Sequence, residues 1–182
     1  MKTHLLLFAL LLGSASVSAV PAKNTFQFVT KKGKHTAKIT FTTKSFNRSE
    51  HRIDQTGKCL RIDGREPLGT DCNVPSVEIE SLRLTFDGKE IGVPKRLYAD
   101  CYQPPFFNRV GSVMNEQEMK NYFAVRISDD LQSVFVFMSG GDAAGSYQII
   151  WVLRKDGRHT RFSGACSDCG FIDFQSGFFH SN

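Results

Sequence analysis

Long apolar runs and biased composition are both missing from this sequence of 182 residues. The first apolar run, residues 5–12, is eight residues long, whereas a membrane-spanning helix needs about 20. Hydrophobic residues make up 41% of the chain and charged residues 23%, which is the usual balance of a folded protein. These absences exclude a polytopic membrane protein, a collagen-like fibre and a disordered tail.

Motifs for catalysis and metal binding are missing too. The sequence has neither the G-x-S-x-G turn of serine hydrolases nor the H-E-x-x-H helix of zinc peptidases. The glycines in residues 139–146 lack the spacing and the Lys-Ser/Thr ending of a nucleotide-binding loop. No Cys/His spacing matches a zinc finger. We therefore expect no cofactor and no metal, and the pattern favours a protein that is not an enzyme.

The first 19 residues have the three parts of a secretory signal peptide. A positive charge at Lys2 precedes the apolar run of residues 5–12, and Val17-Ser18-Ala19 supplies the small side chains that the peptidase needs before the cut. We predict cleavage after Ala19 and a secreted or periplasmic mature chain, residues 20–182, with no membrane span.

The dominant hydrophobic period in the mature chain is two, which is typical of strands. Residues 34–43 alternate cleanly, with polar side chains expected on a solvent-facing side of the sheet. Residues 77–86 alternate with one slip, which predicts a β-bulge near Glu80 and Ser81. Glycine-containing turns separate successive strands, and residues 114–122 are the best short helix candidate.

These patterns predict the fold class. Strands in serial hairpins, at most one short helix and no βαβ alternation indicate an all-β antiparallel domain covering residues 20–182. A β-sandwich and a partly open barrel both fit the pattern.

Five cysteines lie in the mature chain, and disulfides are expected in an oxidising compartment. Cys59 and Cys72 lie 13 residues apart in an irregular stretch, and we expect them to form a bridge. Cys166 and Cys169 form a C-x-x-C pair, for which a structural disulfide is favoured over a redox site because a strand-like segment follows it. Cys101 is then left as a free thiol, with a Cys72–Cys101 bridge as the main competing arrangement.

Positive charge is concentrated near the start of the mature chain. Residues 20–65 carry a net charge of +8, and residues 66–182 carry −4. Lys31, Lys32 and Lys34 crowd one predicted turn, and Lys38 continues the polar side of the following strand. Such a patch suits an anionic partner. The competing interpretation is a charged strand edge that prevents aggregation.

A glycine-rich loop is the second candidate for a binding site. Gly140 and Gly141 leave backbone amides accessible, and Asp142 is suited to orient a sugar hydroxyl or a cation. The competing interpretation is a wide hairpin loop in which the glycines permit tight backbone geometry.

Three functional hypotheses follow. The leading one is a secreted or periplasmic binding domain for an anionic glycan, another cell-surface polymer or a secreted protein, without a specific signal for nucleic acid. The second is an extracytoplasmic thiol-redox or other small enzyme that uses Cys166 and Cys169. The third is an inhibitor of a secreted enzyme that binds through the phenylalanine pairs at residues 106–107 and 178–179.

The cysteine assignment makes a countable prediction. Intact-mass measurement of the unfolded, non-reduced protein after thiol alkylation is expected to detect one modified thiol, at Cys101. Zero alkylated thiols, or more than one, would contradict this assignment.

Overall fold

The computed structural model describes residues 23–107, 112–141 and 145–165. Strands make up 53% of the structure and helices 8%, which confirms the all-β fold class. The described residues contain no helix long and apolar enough to cross a membrane. The strands are β1 (Lys23–Lys32), β2 (His35–Ser45), β3 (Ile53–Asp54), β4 (Arg61–Ile62), β5 (Val77–Phe86), β6 (Lys89–Gly92), β7 (Phe123–Ile127), β8 (Ser133–Gly140), β9 (Tyr147–Arg154) and β10 (Thr160–Ala165).

The first sheet has the antiparallel order β1-β2-β5-β6. Tight turns make the two hairpins at its edges. Gly33 has φ +56°, as the first central residue of a type II′ turn requires, and joins β1 to β2. Asp87 and Gly88 both have positive φ, as a type I′ turn requires, and join β5 to β6.

One extra residue in β5 reconciles the two halves of its hydrophobic pattern. Thr42 of β2 pairs with Ser81, and Thr43 pairs with Ile79, so Glu80 has no partner on the neighbouring strand. The predicted bulge is therefore confirmed. Because the bulge restores the alternation, Ile79 and Leu82 both lie in the buried core.

The second sheet has the antiparallel order β10-β9-β8-β7. The chain reaches β7 through a single-turn helix, α1 (Glu116–Met119), which confirms the predicted helix region in shortened form. The Asn115 side chain accepts a hydrogen bond from Glu118 N, and the Glu118 carboxylate accepts one from Asn115 N. This capping box starts the helix.

The two sheets pack face to face around a common aromatic core. Phe41 of the first sheet has no solvent exposure. Its ring centroid lies 5.2 Å from that of Phe106, 5.5 Å from that of Phe123 and 5.9 Å from that of Trp151. No strand pairing joins the two sheets within the described residues, so the arrangement is a sandwich rather than a barrel.

The outer side of β2 is less exposed to solvent than the alternation of polar and apolar residues predicts. Thr40 and Thr42 belong to the expected solvent-facing side, yet their exposed fractions are 7% and 4%. β2 is flanked by β1 and β5, whose side chains cover the short threonines. Lys38, on the same side, is half-buried.

The irregular stretch between β2 and β5 has a small core of its own. β3 and β4 form a two-stranded sheet that the sequence pattern did not predict. Leu60, Ile62 and Tyr102 are buried together beneath it. The Cys59–Cys72 disulfide closes this region as predicted, so the alternative Cys72–Cys101 bridge is wrong.

Core packing around Phe41 makes a stability prediction. Phe41→Ala removes the ring that contacts aromatic side chains of both sheets, and it is expected to lower the free energy of unfolding by about 3–5 kcal/mol. Urea unfolding measures the change. Gln27→Ala, on the exposed side of β1, is the control and is expected to change stability by no more than about 0.5 kcal/mol. A Phe41→Ala loss as small as that of the control would contradict this account of the core.

Candidate anion-binding groove

Four hairpin turns gather at one end of the sandwich, which we call the hairpin end. They join β1 to β2, β5 to β6, β7 to β8 and β9 to β10. Asp87 connects two of them, because its carboxylate accepts a 2.8 Å hydrogen bond from Thr36 N and lies 2.7 Å from His35 Nδ1. Lys155 lies 3.7 Å above the Phe86 ring and connects the turn after β9 to the end of β5.

A groove of about 560 Å³ opens at this end, where the edge of β1 meets the edge of β7. Thr30, Lys31 and Lys32 line its first side. The second side consists of residues 124–129, from β7 and the turn that follows it, together with two aromatic rings of β8. The groove thus joins a basic strand end to a mixed side that carries Arg126 and Asp129 beside aromatic rings.

The lysines around the groove differ in their pairing. Lys31 and Lys34 are exposed and form no ion pair with a described acidic residue. Lys32 is half-buried and forms an ion pair across the groove with Asp129. That hydrogen bond from Lys32 lowers the pKa of the Asp129 carboxyl. Lys32 therefore holds the groove's sides together. Lys31, at the groove, and Lys34, in the adjoining turn, remain available to a ligand.

The turn that carries Asp129 is internally hydrogen-bonded. Asp130 Oδ1 accepts hydrogen bonds from Ser128 Oγ at 2.5 Å and Gln132 N at 3.0 Å. Ser128 N also donates to Ser133 O at 2.9 Å. These contacts fix the conformation of the turn that carries Asp129, without the help of a ligand.

The other sequence-predicted site residues do not converge on the groove. Lys38 lies on the outer side of the first sheet, opposite Val29 and Thr85. Gly140 and Gly141 lie at the other end of β8, about 20 Å from the hairpin end at about 3.3 Å per residue. Asp142, Cys166 and Cys169 lie outside the described residues, as do the signal peptide and the phenylalanine pair at residues 178–179.

The glycines after β8 make close backbone contacts. A Cβ on Gly140 would lie 2.5 Å from the Tyr147 hydroxyl oxygen, and one on Gly141 would lie 2.9 Å from Gly69 Cα. Tyr147 Oη donates a 2.9 Å hydrogen bond to Tyr102 O, which holds these segments together. Packing therefore already requires these two glycines, whereas their predicted role in binding stays a prediction.

Sequence reasoning missed a chain of charged groups where β2, β5 and the irregular stretch meet. His51 Nδ1 lies 2.8 Å from Asp63 Oδ2, and His51 Nε2 lies 2.8 Å from Glu78 Oε2. The second contact makes no aligned hydrogen bond, so it is electrostatic. Lys44 Nζ lies 3.0 Å from Glu78 Oε1 and also pairs with Glu50.

Burial and partners explain the ionisation of this chain. The side chains of His51 and Glu78 are each 10% exposed. Hydrogen bonds to Glu50 and then Glu78 raise the pKa of Lys44 to about 12. A hydrogen bond from His51 lowers the pKa of Asp63. The Lys44–Glu78 ion pair and the contacts of His51 with Asp63 and Glu78 attach the irregular stretch to the outer side of the first sheet.

Glu78 and Glu80 do not form a catalytic carboxylate pair. Glu80, at the bulge, lies 2.7 Å from Lys23 Nζ, while Glu78 is held by Lys44 and His51. Cys101 is a free thiol with 1% exposure, and burial raises its pKa well above the usual range. This thiol is therefore not a nucleophile at neutral pH.

Among the described residues, no three His, Cys, Asp or Glu side chains come together as metal ligands. No family model matches the chain, and comparisons with curated proteins and with solved structures find no similar protein.

The Asp63–His51 contact makes a pH prediction. Because the pKa of Asp63 is lowered on folding, its stabilising effect is fully present above about pH 5 and is lost as pH falls through the lowered pKa. Wild type and Asp63→Asn are expected to differ most in Tm near neutral pH, and the difference is expected to shrink on acidification. A difference that stays constant or widens between about pH 6 and pH 3 would contradict the assignment.

Proposed function

We propose that this protein is an extracytoplasmic binding domain that holds an anionic glycan through the basic groove of the hairpin end. The observation that carries the proposal is the pairing pattern of three neighbouring lysines. Lys32 is engaged by Asp129, whereas Lys31, which lines the groove, and Lys34, in the turn beside it, are exposed and unpaired with described acidic residues. Carboxylate or sulfate groups of a ligand are the natural counter-ions for these two side chains.

The shape of the groove supports a polymer rather than a small anion. It is open along the seam between β1 and β7, and the half-buried ring of Phe135 lies on its second side. Sugar rings have apolar faces that pack on aromatic side chains, while their acidic substituents reach the lysines at the rim. A compact anion would use only the rim.

The location of the protein is part of the proposal. The signal-peptide pattern of residues 1–19 and the Cys59–Cys72 disulfide both support an oxidising, extracytoplasmic compartment. An extracellular or cell-surface glycan is then the most accessible anionic polymer.

The alternative functions receive less support from the described residues. A thiol-redox role depends on Cys166 and Cys169, and the one described free thiol, Cys101, is buried. An inhibitor role through the phenylalanine pair at residues 106–107 is disfavoured because Phe106 has no exposure and stacks on Phe26 at 4.4 Å.

Retention on heparin-agarose, a sulfated glycan probe, tests the proposal. Lys31→Gln/Lys34→Gln is expected to elute at lower NaCl concentration than wild type and to weaken heparin binding roughly three- to tenfold, because an exposed ion pair contributes up to about 1 kcal/mol. Added salt is expected to weaken wild-type binding because it screens exposed charges.

The matched control is Arg83→Gln/Lys120→Gln, which also removes two exposed positive charges. Because it removes the same charge at other positions, it distinguishes loss of a local binding site from a general effect of lower net charge. Equal losses in the two double variants would overturn the assignment to the groove, and unchanged retention of Lys31→Gln/Lys34→Gln would do the same.

A further inference from the structure

A second concentration of positive charge lies on the small β3–β4 sheet. Ile53 pairs with Ile62, and both pack toward the small core beneath this sheet. Asp54 pairs with Arg61, and both side chains therefore lie on the opposite, solvent-facing side. Side chains alternate between the two sides of this short hairpin, so the charged pair faces solvent while the isoleucine pair faces the core.

Flanking residues extend this charged surface. Arg52 precedes β3 and Arg65 follows β4, and both are exposed. Arg65 Nη1 donates a 3.4 Å hydrogen bond to Arg96 O, in the 3₁₀ turn Lys95–Leu97 that follows β6. This contact brings two further exposed cations beside the hairpin. The arginine surface is the set Arg52, Arg61, Arg65, Lys95 and Arg96.

Three nearby carboxylates, those of Asp54, Asp63 and Glu66, offset part of this positive charge. Asp54 Oδ1 accepts hydrogen bonds from the backbone N and side-chain Oγ1 of Thr56. Asp63 is held by His51 and accepts a 2.9 Å hydrogen bond from Arg52 N. Glu66 reaches Arg61 at 3.3 Å, but both side chains are more than half exposed, and such pairs are weak. Five cations against three carboxylates leave the surface a net charge of +2.

Arginine gives this surface a different chemistry from the lysine groove. A guanidinium group offers several N–H donors in a planar fork that matches two oxygens of a sulfate or carboxylate. Four of the five cations are arginines, whereas the groove is lined by two lysines and one arginine, Arg126. The arginines of this surface are therefore suited to bind the acidic groups of a polymer through two hydrogen bonds each.

We infer that the arginine surface is a second anionic-glycan site, so that one molecule connects two glycan chains or two segments of one chain. The connection of two glycan segments requires the proposed groove site as well, whereas glycan binding at the arginine surface does not depend on the groove. β2 separates the two sites, because it starts at the hairpin end and ends at the irregular stretch.

The surface chemistry favours a glycan over a nucleic acid. Proteins that bind single strands stack bases on exposed aromatic rings between basic residues. The residues that form the arginine surface are all cationic, and the nearby Phe46 ring is instead stacked on His51 at 4.6 Å. Duplex DNA is the comparison probe.

Two measurements test the inference with three full-length double variants that each remove two positive charges. They are Arg61→Gln/Arg65→Gln for the arginine surface, Lys31→Gln/Lys34→Gln for the groove and Arg83→Gln/Lys120→Gln as the control. Affinity for heparin is measured by titration, and bridging is measured by light scattering of protein mixed with long heparin chains. Circular dichroism and Tm confirm that each variant is folded.

The arginine variant is expected to weaken heparin binding roughly three- to tenfold and to abolish the scattering increase that wild type produces. The groove variant is expected to do the same, while the control retains both properties. Wild type is expected to bind heparin more tightly than duplex DNA of equal charge concentration.

Each contrary result has a distinct meaning. An arginine variant that behaves like the control overturns the second site, whatever the groove variant does. A groove variant that behaves like the control, beside a weakened arginine variant, overturns the proposed groove and the bridging but leaves the arginine surface as the binding site. Tighter binding to DNA than to heparin overturns the assignment to a glycan.

Discussion

The packing of Phe41 between the two sheets is the interaction on which the rest of the structure depends. Phe41 lies on the middle of β2, and its ring contacts aromatic side chains from the loop before α1, from β7 and from β9. These contacts bury surface that neither sheet buries alone. They also determine which sheet edges lie side by side, and therefore where grooves form.

The two seams between the sheets have different chemistry. At one seam, Arg161 of β10 forms an ion pair with Asp100 and reaches Leu97 O, while His159 Nε2 lies 2.8 Å from Gly92 O. At the other seam, the Lys32–Asp129 ion pair crosses an open groove. Backbone pairing does not continue across either seam in the described residues, so side chains decide how tightly each one closes.

The folding of the basic first third of the mature chain separates its charge into two surfaces. Lys31 and Lys34 remain at the hairpin end, whereas Arg52, Arg61 and Arg65 follow β2 to the irregular stretch. Between them, Lys44 is neutralised by Glu50 and Glu78. Two separate basic surfaces present positive charge in two places, so that two anionic segments can be held apart from each other.

Local sequence determined most strands of the two four-stranded sheets, the Gly33 turn, the bulge at Glu80 and the Cys59–Cys72 bridge, because each depends on neighbouring residues or on a short closed loop. Only the tertiary structure decided that β1 meets β7 at a groove, that His51 lies between Asp63 and Glu78, and that Arg96 joins Arg65. These contacts join residues far apart in the chain, and the register and packing of whole sheets set their distances. The tertiary structure also decided the burial of Thr40 and Thr42, because that burial depends on which strands flank β2.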